Sequence, residues 1–270
     1  MNYWQKRIAE EVAAITDKTQ EETQKQLIKV YKRAAKKAMK EFENLYNEVL
    51  ARVADGKEVS ISILYGMDKY YQQQAELENI LRQLGDKEIA IMSKQFEQQY
   101  NHVYQAIVID DNGQAIKAMV GDKAFNTVDA KSAVNYIWCS DGKHFSKRVW
   151  ENLADLGATL NEELLNCVIT GKKNSELKKL LMQRFNVSYN RASTVVRTET
   201  ARIQVQAAKD RYQNYGIQEY EVLVKADKRT CDVCTKFKGK RFRLADMQIG
   251  VNAPPFHPNC RDDIIPIIEK

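Results

Sequence analysis

The stretch "KADKRTCDVCTKFKGKRFR" at residues 225–243 places Cys231 and Cys234 in a C-x-x-C pair within a strongly basic segment. Downstream, "APPFHPNCRDD" adds His257 and Cys260 as an H-x-x-C pair, after twenty-two intervening residues. The whole chain has only five cysteines and three histidines, so half of these residues gather here. Two chelating pairs of this kind are typical of tetrahedral zinc sites with three thiolates and one imidazole.

The spacing predicts a structural zinc ion, because four protein ligands leave no open position for a catalytic water. Zinc bound in this way contributes roughly 10 to 16 kcal/mol to the folding of small metal-dependent peptides. A thioredoxin-like redox pair is the alternative for the C-x-x-C motif. That motif would begin a helix in a βαβ unit, whereas basic and glycine-containing sequence follows Cys234.

Positive charge is concentrated near the same cysteines. The chain has a net charge of +6, but residues 1–105 hold sixteen basic and sixteen acidic residues, so the surplus lies downstream. A basic strip can bind the phosphate backbone of DNA, and a solvated loop surface is the alternative. The predicted nucleic-acid-binding residues, called the basic strip below, are Lys236, Lys238, Lys240, Arg241 and Arg243.

Residues 1–105 predict a long amphipathic helical hairpin, or stalk. The sequence "TQEE" offers Thr19 as an N-cap with Glu22 three residues later, and apolar residues then recur at helical spacing. A second helical stretch over 62–105, interrupted near Gly85, is expected to pack against the first. A short segment before Thr19 is expected to cap the hairpin.

Residues 106–215 predict a helical domain. Its first part, "IVIDDNGQAIKAMVG", contains a turn signal and is ambiguous between short strands and helix ends. Capping residues and glycines then predict four helices. These run from near Ser146 to Gly157, from Asn161 to Gly171, from Asn174 or Ser175 to Phe185, and from Ser188 or Asn190 to Tyr215, before a capping Gly216.

Residues 216–270 predict a small basic zinc-binding module. The sequence "IQEYEVLVKAD" alternates branched and aromatic residues as a strand does, and the remainder is rich in lysine, glycine and proline. Few large apolar side chains are available, so we expect the metal to decide whether this module folds. The predicted fold class is mainly α, a long helical hairpin plus a helical bundle, with a small α+β C-terminal module stapled by zinc.

The composition indicates a soluble protein without a membrane anchor. Hydrophobic residues make up 44% of the chain and charged residues 29%, and no apolar run approaches the roughly 20 residues of a membrane helix. The N-terminus lacks a signal-peptide pattern, and an odd number of cysteines favours reduced thiols over a disulfide framework. We therefore expect the chain to stay in the compartment where it is made.

Several stretches resemble the C-terminal signature of the phage head morphogenesis, or minor head (minor capsid), proteins with a Mu-F-like domain. They are "WCSDGKHFSKRVWENLADL", "VVRTETARIQVQ", "YEVLVKADKRTCDVC" and "PPFHPNC". The N-terminal "NYWQKR" and the long charged helices are similar to the same group more weakly, in architecture. The positions that match the family pattern are Arg197, Thr198, Glu199, Asp227, Arg229, Thr230, Cys231, Cys234, His257, Pro258, Asn259, Cys260 and Arg261.

The resemblance implies a low-copy internal head protein that associates with the portal protein and other procapsid components at the portal vertex. It implies a location in the virion head interior, and in the host bacterial cytoplasm during assembly. In some relatives the protein contacts packaged double-stranded DNA. One departure from the family pattern is Asp262, which stands where many members carry a further cysteine.

Arg197 and Glu199 are predicted to be structural residues. Two residues apart on a helix, they point to different faces and do not pair with each other. We expect one of them to pair with Asp227 or Arg229 and so to dock the helix onto the metal module.

The sequence favours a structural assembly factor over an enzyme, because it contains none of the common hydrolase, zinc-protease or nucleotide-binding motifs. The alternative is a metal-dependent nuclease, since "HPNC" is superficially similar to ββα-metal endonucleases, or a toxin-like enzyme that uses Arg197 and Glu199. A nuclease needs further histidines nearby. His102 and His144 both lie more than a hundred residues upstream of His257.

Overall fold

The computed structural model describes residues 3–54, 61–108 and 127–268, and it is mainly helical with a small antiparallel sheet near the C-terminus. This confirms the predicted fold class at that level. The helices are α1 (Tyr3–Ala54), α2 (Ile61–Tyr65), α3 (Asp68–Ala106), α4 (Thr127–Asn135), α5 (Phe145–Thr170), α6 (Asn174–Asn214) and α7 (Asp232–Thr235). The strands are β1 (Glu219–Leu223), β2 (Arg241–Arg243) and β3 (Asp263–Ile267), with a 3-10 turn at Leu244–Asp246.

The prediction that a helix starts at Thr19 is wrong, because α1 runs through this position without a break. The Thr19 hydroxyl donates to the Ile15 carbonyl one turn earlier, at 3.0 Å, instead of capping a free N–H. A threonine can bond in this way inside a helix. The pattern that resembles a capping box therefore does not mark the start of a helix here. The segment before Thr19 is therefore the first part of α1.

The predicted interruption near Gly85 is also absent, because α3 is continuous from Asp68 to Ala106. A Cβ atom on Gly85 would lie 2.6 Å from Cη2 of Trp150 and 2.9 Å from Cδ1 of Leu153. Real Cβ contacts are not this short. Gly85 therefore permits a close approach of two helices and does not mark a helix end.

Two long helices, α5 and α6, replace the four helices predicted between residues 146 and 215. Gly157 lies inside α5, and residues 186–190 lie inside α6. Gly171 and Gly216 do mark the helix ends, with φ of 61° and 69°, in the left-handed region that glycine tolerates at a C-terminal cap. The segment 109–126, which includes most of the ambiguous "IVIDDNGQAIKAMVG", lies outside the described residues.

The chain divides into two compact units, and α1, α3 and α6 contribute segments to both. The first unit contains residues 3–24, 92–108, 127–145 and 194–268. The second unit contains residues 25–54, 61–91 and 146–193.

The second unit contains four long helices besides the short α2. Its α1 and α3 segments are antiparallel, because the Tyr31 hydroxyl donates to Glu88 at 2.9 Å while Lys69 pairs with Glu48 at 3.5 Å. The pairing of a long first helix with a second one, predicted from the sequence, is thus present in this unit.

The other two helices of the second unit, α5 and α6, are likewise antiparallel. The Asn152 amide donates to the Ser188 carbonyl at 3.0 Å, and Arg184 binds Glu163 through two nitrogens at 2.5 and 3.0 Å. Contacts between Tyr31 and Asn152 place α5 beside α1 as well. Successive long helices therefore alternate in direction around one core.

The first unit is built around the second half of α6, which is buried on all sides from Thr198 to Val205. A helix buried all round occupies the centre of its unit. Its polar residues bond internally: Gln99 on α3 donates to the Thr200 carbonyl at 2.9 Å, and Thr16 on α1 donates to Gln204 at 2.5 Å.

The three-stranded sheet, in the order β2-β1-β3, belongs to this first unit. Tyr220 and Ile264 are almost fully buried, and the Tyr212 hydroxyl on α6 donates to the Ile264 carbonyl at 3.3 Å. Gln5 on α1 donates to the Pro266 carbonyl at 2.8 Å. Residues 216–268 therefore pack against α6 and α1, which supplies stability besides that expected from a metal.

Close packing at Gly85 gives a stability prediction. We expect Gly85→Ala to destabilise the protein by about 1 to 3 kcal/mol, because overpacking outweighs the higher helix propensity of alanine. Thermal or urea unfolding of the full chain measures the change. Gly157→Ala is the matched control, since its Cβ would meet only the tip of the flexible Leu81 side chain, at 3.0 Å. A Gly85→Ala variant as stable as that control would contradict the close approach.

Candidate metal centre

The first pair of predicted ligands lies on a tight turn formed by α7. Cys231 is the N-cap residue of this short helix, with an extended backbone, and Cys234 is buried within it. The Thr235 hydroxyl donates to the Cys231 carbonyl at 2.9 Å, and the Phe237 N–H donates to the Cys234 carbonyl at 2.9 Å. These bonds fix the turn so that both sulfur atoms face the same side.

The second pair lies on the turn His257–Cys260, where the Cys260 N–H donates to the His257 carbonyl at 3.2 Å. The turn requires a left-handed residue, and Asn259 fills this position with φ of 59°. Asparagine is among the few residues that tolerate this conformation. The Asn259 N–H donates at 3.1 Å to the Thr198 hydroxyl, so the central helix α6 holds the turn in place.

The His257 ring is oriented as a metal ligand. Its Nδ1 lies 2.8 Å from the Pro258 carbonyl, a distance at which Nδ1–H donates. The unprotonated Nε2 then faces two sulfur atoms, at 3.2 Å from Cys231 Sγ and 3.1 Å from Cys234 Sγ. A backbone carbonyl that fixes the tautomer in this way is a common feature around metal-binding histidines.

The four predicted ligands come together as two overlapping sets that share Cys234. One set is Cys231, Cys234 and His257, and the other is Cys234, Cys260 and Asp262, with the ligand atoms of each set within 4.8 Å of one another. The Sγ atoms of Cys234 and Cys260 are 3.7 Å apart. The described residues thus contain a donor cluster that can hold a metal ion.

Three distances within this cluster can be compared with those around a tetrahedral ion. Bond lengths of about 2.3 Å to sulfur and 2.0 Å to nitrogen imply S–S separations of about 3.8 Å and S–N separations of about 3.5 Å. The 3.7 Å between Cys234 and Cys260 matches this value, and the S–N distances to His257 are a few tenths of an ångström shorter. Cys260 does not lie within 4.8 Å of both Cys231 and His257, so closing all four ligands around one ion also requires the two half-sites to move closer together.

Asp262, which departs from the family pattern, also carries oxygen atoms that can bind a metal. It is buried, and its Oδ1 accepts the Lys225 N–H at 3.1 Å while Oδ2 lies 3.6 Å from Cys260 Sγ. The carboxylate thus joins the chain before the first turn to the chain after the second. Asp262 therefore holds the two half-sites together through Lys225 and Cys260.

The thiols differ in how readily they ionise. Backbone N–H groups directed at Cys231 lower the pKa of its thiol, whereas burial raises the pKa of the Cys234 and Cys260 thiols. Thiolates are the species that bind metal, so binding at the two buried cysteines releases protons and depends on pH.

An exposed ion pair also joins the two half-sites. Arg261 donates to both carboxylate oxygens of Asp227 at 2.6 Å, and this pairing lowers the pKa of the Asp227 carboxyl. Asp227 further accepts the Arg229 N–H at 2.8 Å. The bonds of Asp227 therefore join the chain before Cys231 to the chain after Cys260.

The predicted pairing of Arg197 or Glu199 with Asp227 or Arg229 is wrong. The carboxylate of Glu199 accepts from Arg202 at 2.7 Å and from the Trp138 indole N–H at 3.0 Å. Arg197 instead donates to the Asn259 side chain at 3.4 Å. Helix α6 does contact the metal-binding turns, but through Arg197 and Thr198 on Asn259.

Arg202, which the sequence interpretation missed, is fully buried. Besides Glu199, it donates to the carbonyls of Ala133 at 2.7 Å and Val134 at 3.4 Å, and so caps the C-terminus of α4. The spacing of Glu199 and Arg202 is i to i+3, which could have indicated the pair. Removal of one partner from a buried pair typically costs about 3–5 kcal/mol, so this pair is a structural determinant of the unit.

All five residues of the basic strip are exposed. Arg241 contacts Glu221 at 3.3 Å, Arg243 lies 3.9 Å from Asp246, and Lys240 lies over the Phe237 ring at 5.4 Å. Exposed pairs of this kind are weak, so both arginines can exchange these partners for another anion. The Phe237 ring stacks on Phe256 at 4.0 Å, which connects the strip to the turn of His257.

The other histidines take no part in either donor set. His102 is exposed on α3, and the Nε2 atom of His144 lies 3.2 Å from the Val134 carbonyl. Among the described residues, both metal-binding sets draw only on Cys231, Cys234, His257, Cys260 and Asp262.

Comparison with known families supports the resemblance drawn from the sequence. Residues 158–265 match the family model of Phage Mu protein F like proteins. The match covers the second part of α5, all of α6, β1, β2, the first part of β3 and every residue of the candidate metal centre. The likeness to Mu F-like proteins that the sequence predicts is confirmed over this segment.

No curated protein and no solved structure gives a significant match to the chain. Among the residues that the structure describes, no helix has a run of apolar residues long enough to cross a membrane.

The donor cluster predicts metal-dependent local order. We expect protein purified under reducing conditions to bind one divalent transition metal per chain, and Cys260→Ser to lose most of it. Elemental analysis measures the metal content, and Cys139→Ser is the matched control because Cys139 lies outside both donor sets.

Chelation tests the same prediction without substitution. We expect faster hydrogen exchange in residues 225–262 after chelation, with β1 and β3 still protected by their contacts with α6 and α1. Purified protein that carries no metal would contradict the metal site. Hydrogen exchange in residues 225–262 that stays the same after chelation would also contradict it.

Proposed function

We propose that the protein is a minor head protein of a tailed phage or prophage, a structural assembly factor located inside the head at the portal vertex. The match of residues 158–265 to the Mu F-like family carries this proposal. The matched residues form the metal centre and the helix that supports it, so the family likeness coincides with a structured part of the chain. No catalytic role is assigned to any residue.

We further propose that the metal is zinc and that its role is structural. Three thiolates with one imidazole is a ligand set found in structural zinc sites. The bonds of Asp262 and the ion pair of Asp227 with Arg261 would hold the half-sites close before the ion binds. Zinc would then fix a rigid, basic surface on the first unit.

This rigid surface is suited to phosphate contact. The basic strip follows the metal-binding helix α7 directly and continues into the edge strand β2. Metal binding would order the chain on both sides of the strip and so reduce the entropy cost of binding. Contact with packaged double-stranded DNA is the function we propose for it.

Association with assembling heads is the first test of this proposal. A tagged chain expressed during phage assembly should be recovered with procapsids and with the portal protein, at a few copies per particle. Quantitative mass spectrometry of purified particles measures the copy number, and an unrelated tagged protein of similar size controls for trapping. A chain recovered only in the soluble fraction would overturn the proposal.

Salt dependence tests the proposed DNA contact. We expect the logarithm of the binding constant for duplex DNA to fall with the logarithm of salt concentration, with a slope of about −4 to −5 if all five residues contact phosphate. Replacing the basic strip with glutamine should remove most of this slope. The matched control replaces five exposed lysines of α1 with glutamine: Lys18, Lys29, Lys32, Lys36 and Lys37.

The result that would overturn the DNA contact is an affinity that hardly changes with salt, or a strip variant that binds as the control does. Plasmid incubated with the protein and Mg²⁺ or Mn²⁺ gives a separate readout. Cleavage that is lost in a folded His257→Ala variant would instead support the nuclease alternative.

A further inference from the structure

Each of the four long helices in the second unit contributes one polar side chain to the same buried position. We call this group the polar layer, and its members are Tyr31 on α1, Glu88 on α3, Asn152 on α5 and Ser188 on α6. All four residues are buried, and Glu88 has no exposed surface. The layer lies far in sequence from the metal centre and is not used by the proposed function.

The Tyr31 hydroxyl is the hub of the polar layer. It donates to Glu88 Oε2 at 2.9 Å, lies 3.4 Å from the Ser188 hydroxyl, and is approached by the Asn152 amide at 3.4 Å. The Asn152 amide also donates to the Ser188 carbonyl at 3.0 Å. A polar network that spans all four helices fixes their relative register, as single buried polar residues do in coiled coils.

Two acceptor atoms of the layer are left without a donor among the described residues, Glu88 Oε1 and Asn152 Oδ1. Buried polar atoms without a partner are rare in native proteins, and an ionised carboxylate in such a place is costly. A proton on Glu88 removes the charge and turns Oε1 into a donor. The geometry thus calls for a neutral carboxyl group.

The groups that face Glu88 cannot stabilise a negative charge on it beyond one hydrogen bond. Tyr31 is the titratable group bonded to it, and Asn152, Ser188 and the neighbouring Tyr189 are uncharged. No lysine, arginine or histidine in the described part of the chain forms an ion pair with Glu88. Burial raises the pKa of Glu88 from the ordinary 4.5 to about 7, and the bond from Tyr31 opposes this rise.

We propose that the polar layer is a proton-dependent latch, in which the neutral Glu88 carboxyl holds the four helices together and its ionisation loosens their packing. The sign follows from linkage. The folded state binds the proton more tightly than the unfolded chain, so the stabilisation is complete below pH 4.5 and is lost as the pH rises to about 7.

The test compares the full-length wild type with Glu88→Gln, whose amide keeps the shape of the neutral acid and can donate to the same acceptors. We expect the folding equilibrium constant of the wild type, relative to that of Glu88→Gln, to fall at least roughly tenfold between about pH 5 and about pH 8. Urea unfolding at each pH measures it. The comparison cancels the pH dependence that other acids with raised pKa values contribute to both proteins, such as Asp210 and Asp263 in the first unit.

Glu76→Gln is the matched control, because Glu76 is exposed on the same helix. Its stability should follow that of the wild type at every pH. Equal pH dependence in the wild type and in Glu88→Gln would overturn the latch.

Two further measurements keep the proposal testable if Glu88→Gln does not fold. Carbon-13 NMR of labelled glutamate carboxyls in the wild type should show one group titrating near pH 7, and titration of every glutamate near its ordinary value would overturn the proposal. Tyr31→Phe removes the bond that favours the ionised form, so it should move this titration to higher pH. A shift to lower pH would contradict the role given to Tyr31.

Discussion

The first unit depends on the requirement that a helix buried on every side must satisfy its own polar side chains. Residues 198–205 of α6 meet this requirement by binding separate parts of the chain. Arg202 and Glu199 bind each other, the end of α4 and the indole of Trp138, while Thr198 accepts the N–H of Asn259. One helix thus positions both the segment before α5 and the second metal-binding turn, which connects the family-matched sequence to the donor cluster physically.

The donor cluster was predictable from the sequence because most of its members are set by local spacing. A C-x-x-C pair and an H-x-x-C pair each need only one turn of chain to direct two donors to the same side. The strand predicted within residues 217–227 and the glycine-capped ends of α5 and α6 depend on equally local rules, and the structure contains β1 (Glu219–Leu223) and both capped ends. The role of Asp262 was less accessible, because its partner is a backbone N–H thirty-seven residues earlier.

The errors in the sequence interpretation have one physical origin: tertiary packing, rather than local sequence, determines where a helix ends and which partner a charged residue has. Gly85 and Gly157 resemble helix ends in isolation, yet they lie inside helices next to Trp150, Leu153 and Leu81. Glu199 finds its partner one helical turn away because the surroundings exclude water. The i to i+3 spacing of Glu199 and Arg202 allows their pairing, but no local signal indicates which side of α6 is covered by the rest of the chain, so the burial of this pair could not be assigned from the sequence pattern.

The bond from Gln5 to Pro266 joins residues 261 positions apart, near the two ends of the described chain. During synthesis on a ribosome, the second unit is complete once residue 193 has emerged, since all of it lies between residues 25 and 193. The beginning of α1 must wait for β3, the last strand to be made. The helical bundle can therefore form co-translationally, whereas the sheet and the metal-binding turns reach their final packing only once β3 has emerged as well.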